Sequence, residues 1–186
     1  LGSAFVEVMF KNKKIVFSGD LGRKNPLLLE PPVIIKEADY LVLESTYGDR
    51  EHTAMPADAV LAEIVTDALR KNGNLIIPTF AVERAQEIMY ILNSLKAKNM
   101  IPAGIPVYLD SPMGIDVTDV MMKYPKWHTL STEFCNMICR DVIKVRDDSD
   151  HVFYRNGFLW FYIIFYIISN VDYGNLLVFK LASLGS

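Results

Sequence analysis

Cysteine and net positive charge are both scarce in this sequence. Two cysteines among 186 residues are too few for a scaffold held together by disulfides. The formal net charge of −3 argues against a broad basic face that holds duplex DNA by charge alone, but not against a nucleic-acid enzyme with a metal and a few local cations. The chain is 51% hydrophobic and 22% charged, which excludes intrinsic disorder and provides material for a core.

Charge is almost missing from the last part of the chain. Of 41 charged residues, three lie beyond position 150, and none lies between Asn156 and Val171. The apolar run Phe158 to Ile168 is eleven residues long, whereas a membrane-spanning helix needs about 20, so we predict no membrane segment. Its β-branched and aromatic content favours a strand.

Strand-like and helix-like segments alternate in the first 150 residues. Apolar residues recur at helical spacing in Pro56 to Lys71 and in Val82 to Lys98. Ser111 followed by Pro112 is typical of a helix start. Short apolar runs predict five strands: Ala4 to Met9, Lys14 to Phe17, Tyr40 to Leu43, Leu75 to Ile77 and Val107 to Leu109. We therefore predict an α/β fold in which helices cover a parallel or mixed sheet.

Polar residues directly follow several of these strands, which is where α/β sheets bind ligands. Asp20 follows the second predicted strand, and Glu44 follows the third. Carboxylates at strand ends are natural ligands for a divalent metal, or groups that orient other ligands. On these grounds alone, an ordinary turn at Asp20 and a loop cap at Glu44 are the more common outcomes for such residues.

Five segments together resemble one known family. The segments FSGDLGR and LVLESTYGDR resemble the metallo-β-lactamase superfamily in its β-CASP nuclease branch, and three later segments resemble its β-CASP domain: IIPTFAVERAQEI, VYLDSPMGIDVT and LSTEFCNMICRDVIKVRD. The resemblance implies a partial metallo-β-lactamase αββα sandwich in residues 1–50 and the start of a β-CASP α/β domain in residues 51–150. Residues 151–186 form an apolar tail outside the family pattern, and we expect the whole to be an internal fragment of a longer protein.

The resemblance implies a ribonuclease that hydrolyses phosphodiester bonds of single-stranded RNA with two zinc ions. Asp20 resembles the carboxylate that bridges the two metals. Glu44 is similar to the family's motif A acid, which orients a catalytic histidine near the leaving group. Arg84 follows a strand and lies in the first turn of a predicted helix, where backbone N–H groups and a fixed cation would bind a substrate phosphate. A solvated surface arginine is the alternative, and Glu83 stands where many relatives have a small residue.

The histidines that the family uses as zinc ligands are missing from this chain. Because zinc needs at least three or four protein ligands, we predict weak zinc binding and no nuclease activity for this polypeptide alone. Two other functions stay open: a non-catalytic β-CASP-like scaffold of an RNA-processing complex, and a small-ester hydrolase with the metallo-β-lactamase fold. The resemblance also implies a cytoplasmic location, or a nuclear one in a eukaryotic processing complex. It leaves room for a homodimer or for processing-complex partners.

Overall fold

The computed structural model describes residues 4–49, 51, 55–145, 163–167 and 176–178. Most of the apolar tail lies outside the described residues, as do Arg50 and the last two residues of the segment that ends at Asp147.

The first sheet has three strands, β1 (Val6–Phe10), β2 (Lys13–Phe17) and β3 (Tyr40–Val42). β1 and β2 form an antiparallel hairpin whose turn residues Lys11 and Asn12 have φ of 45° and 61°. Two consecutive positive φ angles are typical of the tight turns that match the twist of a hairpin. β3 pairs with β2 in parallel, so the carboxyl ends of β2 and β3 lie at the same edge of the sheet.

The second sheet has five strands in the order β6-β5-β7-β4-β8. It is mixed, because β7 runs antiparallel to both β4 and β5, whereas the β4–β8 and β5–β6 pairs are parallel. The elements follow one another as α1 (Ala57–Arg70), β4 (Asn74–Thr79), α2 (Arg84–Ala97), β5 (Val107–Asp110), α3 (Pro112–Lys123), a 3-10 helix (Pro125–Trp127), α4 (Thr132–Asp141), β6 (Val142–Val145), β7 (Ile163–Ile167) and β8 (Leu176–Val178). The predicted α/β class with a mixed sheet is confirmed.

The apolar core lies between α1, α2, α4 and the strands β4 and β5. Leu61, Val65, Leu75, Leu92 and Leu109 are among its fully buried members. Side chains of the first sheet are far more open to solvent, although Val16 is fully buried. The core of the described chain therefore belongs to the second sheet and its helices.

Two local predictions are confirmed by the elements themselves. The Ser111 side chain accepts a hydrogen bond from the backbone N–H of Gly114, so it caps α3, whose first residue is Pro112. Residues Ile163–Ile167 of the apolar tail form β7, the central strand of the second sheet, as their composition predicted. Among the described residues no helix is both long and apolar enough to cross a lipid bilayer.

Candidate functional site

The parallel pairing of β2 with β3 brings Asp20 and Glu44 to the same edge of the first sheet. The backbone N–H of Ser18 donates to the carbonyl of Val42 over 2.9 Å, which extends the ladder beyond β2. The Glu44 backbone N–H then donates to the Ser18 hydroxyl over 3.0 Å, and Ser18 is buried. These bonds connect the two strand ends directly.

Both carboxylate oxygens of Glu44 accept hydrogen bonds. Oε1 accepts from the backbone N–H of Leu21 at 2.7 Å, and Oε2 accepts from the Thr46 hydroxyl at 2.8 Å. The Thr46 bond and then the Leu21 bond hold the pKa of the Glu44 carboxyl below its ordinary value, so it is ionised at neutral pH. Glu44 therefore fixes the loop that directly follows Asp20.

Gly19 fixes the same loop from its other side. Its φ is +55°, a conformation that L side chains rarely adopt, and a Cβ added there would lie 2.5 Å from the Ala4 carbonyl oxygen. Only glycine fits this close approach of two backbone segments. The position of Asp20 is thus set by Gly19 before it and by the Leu21–Glu44 bond after it.

The exposed Asp20 side chain lines a cleft of about 370 Å³, which we call the Asp20 cleft. Charged and aromatic neighbours in its lining include Arg23, Glu30, Glu83, Lys126 and Trp127, and Pro31 and Pro32 form part of its apolar wall. A cleft of this size accommodates a small molecule or one nucleotide unit. It joins the loop after β2, the turn before α2 and the 3-10 helix.

Arg84 lines a second cleft of about 460 Å³, which we call the Arg84 cleft. Its guanidinium lies 3.0 Å from a carboxylate oxygen of Glu87, whose side chain is almost fully buried. Arg23 lines both clefts, so it stands between them. The structure therefore brings Asp20 and Glu44 to one edge, while Arg84 faces the neighbouring cleft.

The residue before Arg84 has an unusual backbone. Glu83 has φ of 64° and ψ of −60°, and the Arg84 N–H donates to the Val82 carbonyl at 2.8 Å. This three-residue turn is rare and strained for any residue other than glycine. Burial, followed by the nearby Glu87 carboxylate, raises the pKa of Glu83. The predicted start of this helix at Val82 was two residues early, because the turn at Glu83 interrupts it.

Histidine supplies no metal ligand set in the described part of the chain. His128 is buried; its Nε2 lies 3.1 Å from the Met121 carbonyl and its Nδ1 accepts from the Leu130 N–H at 3.2 Å. Both ring nitrogens are thus used in backbone contacts. Within the described ranges no group of three or more His, Cys, Asp or Glu side chains is arranged to hold a metal ion.

Three residues of the Asp20 cleft had no role in the sequence-based prediction. Arg23 belongs to the FSGDLGR segment, but that segment was interpreted for Asp20 alone. Lys126 and Trp127 lie more than 100 positions away, and no spacing rule connects them to Asp20. The one available signal was a tryptophan within the polar segment between α3 and α4.

Comparison with known proteins agrees with this architecture. A family model described as the Beta-Casp domain matches residues 85–158. Ribonuclease TTHA0252 of Thermus thermophilus is 40% identical over 126 residues, covering 67% of this chain and 28% of that protein. RNase J-like protein of Methanocaldococcus jannaschii is 35% identical over 146 residues, covering 74% of this chain and 33% of that protein. Endoribonuclease ysh1 of Schizosaccharomyces pombe is 30% identical over 129 residues, covering 67% of this chain and 17% of that protein.

This chain spans a third or less of the length of these relatives. The relatives are nonetheless similar over most of this chain, and the described elements form a mixed α/β structure that is consistent with a β-CASP domain. The predicted family is confirmed: the chain belongs to the β-CASP branch of the metallo-β-lactamase superfamily.

Proposed function

We propose that this chain is part of a metal-dependent ribonuclease that hydrolyses phosphodiester bonds in single-stranded RNA. The observation that supports it most directly is the placement of Asp20 and Glu44 at one sheet edge, connected through the 2.7 Å bond from Leu21 to Glu44. Relatives named as ribonucleases and endoribonucleases supply the reaction class. The Beta-Casp match weighs against a hydrolase of small esters.

The proposed boundary between the first two parts follows the division between the two sheets, whereas β7 and β8 of the second sheet lie within the tail. Residues 1–50 belong to the metallo-β-lactamase part and residues 51–150 to the β-CASP part, with residues 151–186 as a tail outside the family pattern. The family match ends at residue 158, eight residues into that tail.

The proposed cofactor is a pair of zinc ions, with Asp20 as one metal ligand. Catalytic zinc takes at least three protein ligands. The described residues do not fit this requirement, because no two further His, Cys, Asp or Glu side chains among them are arranged with Asp20 to hold a metal ion. Both ring nitrogens of His128 contact backbone groups. We therefore propose that the 186-residue chain alone binds zinc weakly and does not cleave RNA.

Glu44 and Arg84 have different proposed roles around Asp20. Glu44 is a positioning residue, because its two oxygens hold the Leu21 N–H and the Thr46 hydroxyl, and by family resemblance it also orients a histidine. Arg84 is the proposed contact for a substrate phosphate in the Arg84 cleft, where Glu87 fixes the direction of its guanidinium. Arg23 lines the boundary of the two clefts and would connect the two parts of an RNA path.

Two measurements on the purified chain test this proposal. We expect single-stranded RNA to bind, with affinity that falls as salt is raised, and we expect no hydrolysis with or without added zinc. Isothermal titration should show no stoichiometric zinc site. A tight zinc site, or RNA cleavage that a chelator abolishes, would contradict the proposed inactivity of the chain alone.

A protein that carries this chain together with metal-binding histidines tests the role of Asp20. We expect Asp20→Asn to abolish its RNA hydrolysis, because a neutral amide is a poorer ligand for a divalent metal. Glu63→Gln, which neutralises an exposed carboxylate on α1, is the control and should leave hydrolysis unchanged. Binding of RNA without any hydrolysis by the parent protein would favour the scaffold function instead.

The remaining proposals concern location and partners. We propose a cytoplasmic location, or a nuclear one if the chain belongs to a eukaryotic processing complex. A homodimer and processing-complex partners are both compatible with the exposed first sheet.

A further inference from the structure

Trp127 stands on the wall of the Asp20 cleft with 60% of its surface exposed. Indole is the largest side chain, and leaving it in water gives up much of the free energy that its burial would provide. Its immediate neighbour His128 is only 6% exposed, so the chain at this point could bury a side chain but presents the indole to solvent.

The backbone around Trp127 is held on both sides. The backbone N–H of Trp127 donates to the Tyr124 carbonyl at 3.0 Å within the 3-10 helix. On the other side, His128 makes backbone contacts to Met121 and Leu130, and the Thr129 N–H donates to the carbonyl of the fully buried Leu28 at 2.8 Å. The indole is therefore presented from a fixed backbone, which lowers the ordering cost of binding.

The charges in the cleft distinguish between occupants. Asp20, Glu30 and Glu83 line the cleft together with Arg23 and Lys126, so carboxylates outnumber cations. In the chain without bound metal ions, a phosphate group placed among the three carboxylates would be repelled, whereas an uncharged aromatic ring would not. Pro31 and Pro32 add apolar rings to the lining. The ligand that suits this cleft best is an uncharged planar group attached to an anionic backbone. Lys126 precedes Trp127 in the chain and can contact that backbone.

We propose that Trp127 is a stacking platform for an unpaired base of single-stranded RNA, which enters the Asp20 cleft while its phosphates pass Lys126 and Arg23. This inference rests on the proposed function, since it takes RNA as the ligand. Base stacking on an aromatic side chain tolerates any base, because every base has a π-face. The site therefore contributes affinity for single strands without base specificity, and it excludes paired bases.

The test compares two labelled single strands of about ten nucleotides by fluorescence anisotropy with the full chain. One is ordinary RNA, and the other is a matched ribose-phosphate strand without bases. Trp127→Ala should weaken binding of the RNA by at least about fivefold and leave binding of the abasic strand unchanged. Trp127→Phe should retain most of the affinity, because a phenyl ring still stacks.

Tyr124→Ala is the matched control, because Tyr124 is an exposed aromatic of the same segment and is not in the lining of the Asp20 cleft. It should bind RNA as the parent chain does. Circular dichroism of each variant checks that the fold is kept. If Trp127→Ala does not fold, Trp127→Phe gives a second measurement, since it should remove most of the indole fluorescence quenching that RNA causes in the parent chain.

The outcomes separate this inference from the proposed function. RNA binding that is unaffected by Trp127→Ala, or equal weakening for RNA and the abasic strand, overturns the stacking platform alone. A parent chain that binds neither strand overturns the RNA ligand and the platform together. Quenching that persists unchanged in Trp127→Phe also overturns the platform.

Discussion

Glu83 shows at the residue scale how a single backbone conformation sets the entrance to both clefts. Its turn directs the chain from β4 into α2, so that Glu83 lines the Asp20 cleft and Arg84 lines the Arg84 cleft. A positive φ at a glutamate is stored strain, and such strain is concentrated at functional sites. No propensity scale predicts it, because the sequence offers no glycine at this position.

Glu83→Gly is expected to stabilise the chain by about 1 kcal/mol. Relief of strain is worth about 1–3 kcal/mol, and the extra freedom of glycine in the unfolded chain offsets about 0.5–1 kcal/mol. Urea unfolding measures the change. Glu83→Ala is the matched control, because it removes the carboxylate but keeps the Cβ and its strain. Equal stabilisation by alanine and glycine would show that charge, and not backbone strain, is responsible.

Glu44 should make stability depend on pH in the acid range. Its pKa is lowered in the folded chain from 4.5, first by the Thr46 hydrogen bond and then by the Leu21 bond. A lowered folded pKa contributes stability that is fully present above the unfolded pKa and is lost as pH falls through the folded pKa. Glu44→Gln should therefore be less stable than the parent at pH 7, and the difference should shrink as pH falls below 4.5.

Urea titrations at a series of pH values measure this difference for Glu44→Gln. Glu63→Gln, at an exposed position of α1, is the control and should change stability by less than Glu44→Gln at pH 7. A stability difference that stays constant from pH 7 down to pH 3 would be inconsistent with ionic hydrogen bonds at Glu44.

At the element scale, local patterns predicted most helices and strands of the first 145 residues. Periodic apolar positions identified α1 and the whole of α2, and Ser111 with Pro112 located the start of α3. β6 was not predicted, because its four residues directly follow α4 without a turn signal. The pairing of β7 between β4 and β5 could not be predicted, since contacts between distant segments leave no local pattern.

The candidate site likewise combines residues that local patterns identify with residues that only long-range packing brings together. Asp20 and Glu44 were identifiable because each follows an apolar strand, and the structure places both at one edge. The approach of Lys126 and Trp127 to Asp20 depends on how the loop after α3 packs, including the bonds of Thr129 to Leu28. Packing of this kind is decided by the whole core, so no short segment reports it.

His128 is expected to anchor the segment between α3 and α4. His128→Ala removes the acceptor of the Leu130 N–H and one contact of the Met121 carbonyl, at a cost of about 1–3 kcal/mol. Urea unfolding measures the loss. Lys126→Ala, two residues earlier and exposed, should change stability by less than about 0.5 kcal/mol. Equal effects of the two variants would show that His128 is not an anchor.

At the scale of the whole molecule, the two sheets differ in how well they are covered. Val6, Val8, Phe10 and Phe17 of the first sheet are exposed by 40–62%, and their register places them on one face. Apolar side chains of β4 and β5, by contrast, are packed against helices. Apolar area removed from water is the main source of stability, so the second sheet should carry most of it.

Leu75→Ala and Val8→Ala compare the two sheets directly. Leu75 is fully buried in β4, so its truncation should cost about 2–5 kcal/mol, whereas Val8 on β1 is 40% exposed and should cost under about 1 kcal/mol. Amide hydrogen exchange should agree, with β4 protected more strongly than β1, because elements with few buried contacts open locally. Equal costs together with equal protection would mean that the two sheets unfold as one unit. Such a result would require the exposed face of β1 and β2 to be covered in solution.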